Sequence, residues 1–271
     1  MLRIIDRASC RETGKLNSKE INLDKSRIWY VFKRKVRVAV GRRYLGLAWI
    51  PLNPIVRSLV YLFVFNVIRS NPDISVLLIG ITMYTMFTDS FKSGMNSIND
   101  YTGGIKAERV RTRVLMFSML YFRSFDAFLQ ASGVAIILFL VIGIKPLGVA
   151  IFIIISVTLS ILSEGLALNI STATKSIPDL GNVINYVLLL GFFSSPALYS
   201  LNDTTGWHYR FNLYNPFTYF VEGARHASGV DSPFREIIGP KLLIILFMMV
   251  VLAWRGYNSL DEQRWRTSSW S

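Results

Sequence analysis

Few residues in this chain could carry chemistry of their own, and most of those lie inside long apolar runs. Three are carboxylates: Asp89, Asp126 and Glu164. A proton-driven carrier uses acidic groups at such depths, because a carboxylate inside a bilayer is costly unless it is paired or reached by water. Asp126 follows Arg123 by three residues, which puts both on one helix face. A local ion pair therefore competes there with a proton relay. Glu164 lies in the inner part of its run, where a helix contact or snorkelling accounts for it. Asp89 is deeper and is the carboxylate that could border a water-filled path. Arg57 can reach the cytoplasmic interface by snorkelling.

Catalytic motifs do not accompany these groups. GxxxxGK(S/T), which would cradle a nucleotide phosphate, does not occur; Gly103-Gly104-Ile105-Lys106 lacks both the spacing and the hydroxyl. Neither HExxH nor GxSxG is present. The single Cys10 excludes an intrachain disulfide, and with only His208 and His226 no metal site is expected. A second concentration of side chains is aromatic. Residues 200–236 hold Trp207, Tyr209, Phe211, Tyr214, Phe217, Tyr219 and Phe220. Such rings can stack on the C–H faces of sugars and hydrogen-bond their hydroxyls. They can equally form the interfacial belt common to membrane proteins.

The elements that must position these residues follow from hydropathy. Hydrophobic residues make up 52% of the 271-residue chain and charged residues 17%, with the charge segregated into short basic clusters between uncharged runs. A bilayer core of about 30 Å needs roughly 20 apolar residues in a helix. Six stretches fit, at about 51–68, 74–95, 121–142, 147–170, 180–199 and 237–254. The expected fold is an all-α integral membrane protein with six transmembrane helices over 51–256. Residues 1–23 are a polar N-terminal segment, and 257–271 a cytoplasmic tail. Residues 24–50 read as a basic amphipathic helix lying in the membrane interface. Its stripe of Ile28, Phe32, Val36, Val40 and Tyr44 recurs every four residues. No cleavable signal peptide is expected ahead of it.

The net charge of +13 sets orientation rather than nucleic-acid binding. Twenty-one Lys and Arg fall on the side of both termini, and six on the opposite side. Both ends are therefore expected in the cytoplasm. Residues 200–228, too polar to span, form a short re-entrant segment between the fifth and sixth spans. Asn215-Pro216 starts a helix there, and Gly229 ends it.

With these elements in place, the sequence resembles the membrane-spanning permease subunits of bacterial ATP-binding-cassette polysaccharide exporters. That group includes the O-antigen, capsule and teichoic acid exporters. Four stretches carry the resemblance. Arg42-Arg43-Tyr44-Leu45-Gly46-Leu47-Ala48-Trp49 with Leu52-Asn53-Pro54 is similar to the family's entry into the first span. Gly165-Leu166-Ala167-Leu168-Asn169 resembles its close of the fourth, and Ser195-Pro196-Ala197-Leu198-Tyr199 its close of the fifth. Tyr214-Asn215-Pro216-Phe217-Thr218-Tyr219, with Glu222 and Arg225, resembles the family's "NPxxxxxExxR". One departure is Lys175-Ser176-Ile177-Pro178-Asp179, where the family often has Arg-Asp.

The resemblance implies a homodimer around a central channel in the bacterial cytoplasmic (inner) membrane. Two copies of a separate ATPase, which holds the ATP and Mg, would dock beneath it and drive export of a lipid-linked glycan. This chain itself would bind no cofactor and perform no catalysis. Tyr199, Trp207, Tyr214, Phe217 and Tyr219 become channel- or gate-lining residues, with Glu222 and Arg225 as an ion pair on the gate helix. Asn99, Lys106, Glu108, Arg109 and Arg111 become the surface gripped by the ATPase. The residues also admit a permease of this architecture for a drug or small molecule, or a proton-coupled carrier using Asp89 or Glu164.

Overall fold

The computed structural model describes residues 18–41, 44–68, 73–100, 112–230, 232–234 and 239–268, and the elements described are helical. In chain order they are α1 (Ser18–Val40), α2 (Trp49–Ile68), α3 (Ile74–Asp100), α4 (Thr112–Leu140), α5 (Pro146–Leu168), α6 (Ser171–Ser176), α7 (Pro178–Ser194), α8 (Gly206–Tyr214), α9 (Pro216–Ala227) and α10 (Gly239–Ser268). Short 3-10 turns precede α2 and α8.

Among the described residues, five helices are long and apolar enough to cross a bilayer: α2, α3, α4, α5 and α10. The remaining apolar helix, α7, has 17 residues, about 26 Å at 1.5 Å per residue and so short of the hydrocarbon thickness. The expected span at 180–199 stops early because Ser195 precedes Pro196. It adopts extended backbone (φ −88°, ψ 162°), as a residue before proline prefers. Other helices outrun their expected limits. The amphipathic helix begins at Ser18, α4 begins nine residues before 121, and α10 continues to Ser268, well into the segment read as a tail.

α3 is the central helix, with 67% of its apolar window buried inside the protomer, against 11% for α2 and 22% for α10. Its Leu77, Leu78, Ile79, Ile81, Met83 and Met86 meet Ala131, Val134 and Leu138 of α4 and Phe152 and Leu159 of α5 in one core. Small residues let backbones approach, as is common between membrane helices. At Gly80 any Cβ would collide with the carbonyl of Ala197, so only glycine lets α3 abut the turn after α7. The apolar face of α1 packs along the first half of α4. Ile28 lies against Val114 and Leu115, and the Phe32 ring meets Phe125 edge-on at 5.7 Å.

Candidate functional site

Among the described residues, the ion pairs inside the bundle fall into three sets, each built around an arginine. The first holds α8 and α9 against the bundle. Asn215 caps α9 by accepting from the Phe217 N–H (3.1 Å), and Pro216 occupies the first helical position, where its missing N–H is no loss. At the other end, Gly229 takes φ +74° beyond the last turn, the left-handed conformation that commonly stops a helix. From Phe217 to Arg225 every residue of α9 is buried, wedged mainly between α3 and α5.

Arg225, with no exposed surface, closes this wedge. Its Nη1 donates to Glu222 Oε1 (2.7 Å) and to the Tyr199 carbonyl (3.1 Å), and Nη2 donates to the Val76 carbonyl (2.9 Å). Ser232 donates to the other Glu222 oxygen at 2.6 Å. The charge is neutralised locally, while the carbonyls anchor α9 to α3 and to the turn after α7. α8 is tied to the end of α7 through the Ser194 carbonyl, which lacks a helical partner. Tyr199 Oη (2.6 Å) and Asn212 Nδ2 (3.1 Å) donate to it, and His208 Nε2 lies 3.0 Å away.

The five aromatics expected to line a gate separate into two groups. Trp207 and Tyr214 are 78% and 82% exposed on α8, where Trp207 stacks on Phe211. Phe217 and Tyr219 are buried in the protomer and present no lining surface there. The Phe217 ring packs against Tyr84 and Phe87 of α3, in a seam that includes Phe192 of α7. The Tyr219 hydroxyl donates to the Leu213 carbonyl at 2.7 Å. Tyr199 is half-buried, its hydroxyl used in the α7–α8 tie.

The second set joins four helices. Arg123 of α4 donates to Asp126 (3.0 Å) and to Glu164 of α5 (3.5 Å). Glu164 also accepts from Ser93 of α3 and Tyr257 of α10, both at 3.2 Å, and Asp126 accepts from Gln130 at 2.9 Å. The Arg123–Asp126 pair is thus part of a larger network, and Glu164, 1% exposed, is buried among donors instead of snorkelling. In the third set, Arg57 of α2 pairs with Asp89 of α3 at 3.3 Å. Sequence reading missed both cross-helix pairings.

Asn99 lies in the last turn of α3. Lys106, Glu108, Arg109 and Arg111 lie outside the described residues. Among the described residues no group of His, Cys, Asp and Glu could hold a metal.

Known proteins are similar to this chain over much of its length, at low identity. The polysialic acid transport protein KpsM of Escherichia coli is 25% identical over 213 residues, covering 73% of this chain and 79% of that protein. The O-antigen export system permease protein RfbA of Myxococcus xanthus is 25% identical over 174 residues, covering 63% and 66%. The family model described as "ABC-2 type transporter" matches residues 26–228, from α1 through the end of α9. The chain is a multi-pass membrane protein that belongs to the ABC-2 type transporter family.

Proposed function

We propose that this chain is the permease subunit of an exporter of lipid-linked polysaccharide, of the O-antigen, capsule or teichoic acid kind, in a bacterial cytoplasmic membrane. Two copies form the passage, both termini face the cytoplasm, and two copies of a separate ATPase supply the drive. The observation that carries this reading is the family match over 26–228, together with two relatives whose names are of polysialic acid transport and O-antigen export. The charge asymmetry supports the orientation. α1 and residues 99–111 then form the surface met by the ATPase.

The geometry refines the aromatic part of the reading. α8 carries exposed Trp207 and Tyr214 on a short helix too brief to span, and α9 with its Glu222–Arg225 pair is the buried seat that holds it. Flat aromatic faces offer many weak contacts to a sugar chain, which allows sliding without trapping. Phe217 and Tyr219 serve by packing this seat.

The test is to tag the chain, purify it gently from native membranes and identify stoichiometric partners. A co-purifying GxxxxGK(S/T) protein at one copy per copy of this chain, with lipid-linked glycan trapped inside cells lacking the chain, is the expected result. A chain that purifies alone, with no trapped glycan on deletion, overturns the reading. Within it, Trp207→Ala with Tyr214→Ala should lower export several-fold while the complex with the ATPase still assembles; unchanged export removes the aromatic contact.

A further inference from the structure

Among the described residues, Arg57–Asp89 is the intramembrane ion pair open to the outside of the protomer. Arg57 Nη1 lies 3.3 and 3.5 Å from the two Asp89 oxygens, and the side chains are 49% and 37% exposed. The other intramembrane pairs are at least 85% buried on both sides. Arg57 is the ninth residue of α2, well inside its apolar length. An open ion pair at that depth is costly against acyl chains, so this face suits contact with water or polar cargo better than with lipid tails.

The arginine has binding capacity left over. A guanidinium carries five N–H donors in a planar fork, and among the described residues only Nη1 meets a protein acceptor. Exposed polar residues extend the strip towards one end of the bundle. Asn53 lies one turn before Arg57, and Lys92 lies one turn after Asp89 on the same face of α3. Two cations against one carboxylate leave the strip with one positive charge. At the start of α2, a cavity of about 510 Å³ lined by Tyr44, Leu45, Trp49 and Asn53 adjoins it, sharing Asn53.

We propose that this strip binds the phosphate or pyrophosphate ester of a membrane lipid. Arg57 supplies the planar fork that matches phosphate oxygens, and Lys92 a second, pointlike charge. Asp89 aims the guanidinium and competes with the ligand for it, which limits how long the head group is held. A ligand whose head is anionic and whose tail is apolar suits a charged strip set in a spanning helix. Two sources share this chemistry, a polyprenyl-type glycan carrier and bulk anionic phospholipid. The assignment to the carrier rests on the export reading; the phosphate site does not.

The experiment uses the full chain with its co-purified ATPase, without nucleotide, and reads equilibrium binding of radiolabelled farnesyl pyrophosphate. Wild type should bind saturably, and uncharged farnesol should not compete. Arg57→Gln should weaken binding about tenfold, the loss of one charge-assisted contact. Arg57→Lys should fall between, because charge without the fork is retained. Asp89→Asn should bind at least as tightly as wild type. Preferential displacement by undecaprenyl pyrophosphate assigns the site to the carrier, and equal displacement by dioleoyl phosphatidylglycerol assigns it to bulk lipid; both uphold the phosphate site. Unchanged binding in Arg57→Gln overturns it. So does full competition by farnesol, which would make the apolar tail rather than the phosphate the group that is bound. Thermal midpoints and ATPase co-purification verify folding of each variant. Because binding is read without transport, failure here and failure of the export reading are separate results.

Discussion

Arg225 and Arg123 are both buried arginines paired with carboxylates, and they are secured in opposite ways. Arg225 takes one carboxylate from its own helix and spends its remaining contacts on backbone carbonyls of α3 and of the turn after α7. Backbone acceptors cannot change rotamer, so α9 is seated on fixed points. Arg123 meets two carboxylates on different helices, and these in turn accept from side chains of α3, α4 and α10. The ties to the two carboxylates are all side chain to side chain, although Tyr257 also donates to the Ile161 carbonyl at 3.2 Å. Such ties can exchange partners while the helices shift by an ångström or so, a latitude the seat of α9 does not have. The first arrangement suits a part that must stay put, and the second a crossing point between helices that move relative to one another.

The largest effect should come from breaking the fixed seat. Glu222→Ala leaves Arg225 buried with carbonyls alone, and removing one partner of a buried pair costs about 3–5 kcal/mol. A large drop in the thermal unfolding midpoint of the purified protein is expected, with the loss of export following from it. A shift as small as that of an exposed-surface substitution would show that α9 is held by packing alone. Next in size is Arg123→Gln. It leaves Asp126 and Glu164 without a cation but with Gln130, Ser93 and Tyr257 still donating, and a loss of about 2–3 kcal/mol is expected for such partly satisfied buried groups. Glu164→Gln should be milder than Arg123→Gln, since Arg123 keeps Asp126. If the two are equal in thermal unfolding, the network does not act as a chain of exchangeable ties.

What was legible in the sequence is what depends on local spacing. Runs of about 20 apolar residues mark five spanning helices because bilayer thickness fixes helix length. Asn215-Pro216 and Gly229 mark the ends of α9 because capping and left-handed backbone are properties of single residues. The Arg123–Asp126 and Glu222–Arg225 pairs were legible because three residues is one helical turn. Contacts across the bundle were not. The partners of Glu164 lie 41, 71 and 93 residues away in the chain, and no period announces them. Aromatic density at 200–228 likewise says nothing about which rings point outward. That Phe217 fills a seam while Trp207 is exposed depends on where α3 and α7 pass. The early stop of α7 did have a signal, Pro196, whose effect on Ser195 outweighs the apolar run.

The smallest expected effect sharpens the comparison by adding the third arginine. Arg57–Asp89 is open where the other two are closed. If the pair faces water or polar cargo, it behaves as an exposed salt bridge, worth about 0–1 kcal/mol. Asp89→Asn should then move the thermal midpoint little, far less than Glu222→Ala. If the same pair faced acyl chains, Asn at 89 would strand a guanidinium in hydrocarbon, and the loss would approach that of the buried pairs. Transport discriminates further. A proton-coupled carrier that relied on Asp89 would stop in Asp89→Asn, whereas an ATP-driven exporter should continue, with release of the head group slowed because Arg57 has lost its competitor. A stable, exporting Asp89→Asn protein therefore places this face on the passage, and an unstable one places it against the lipid.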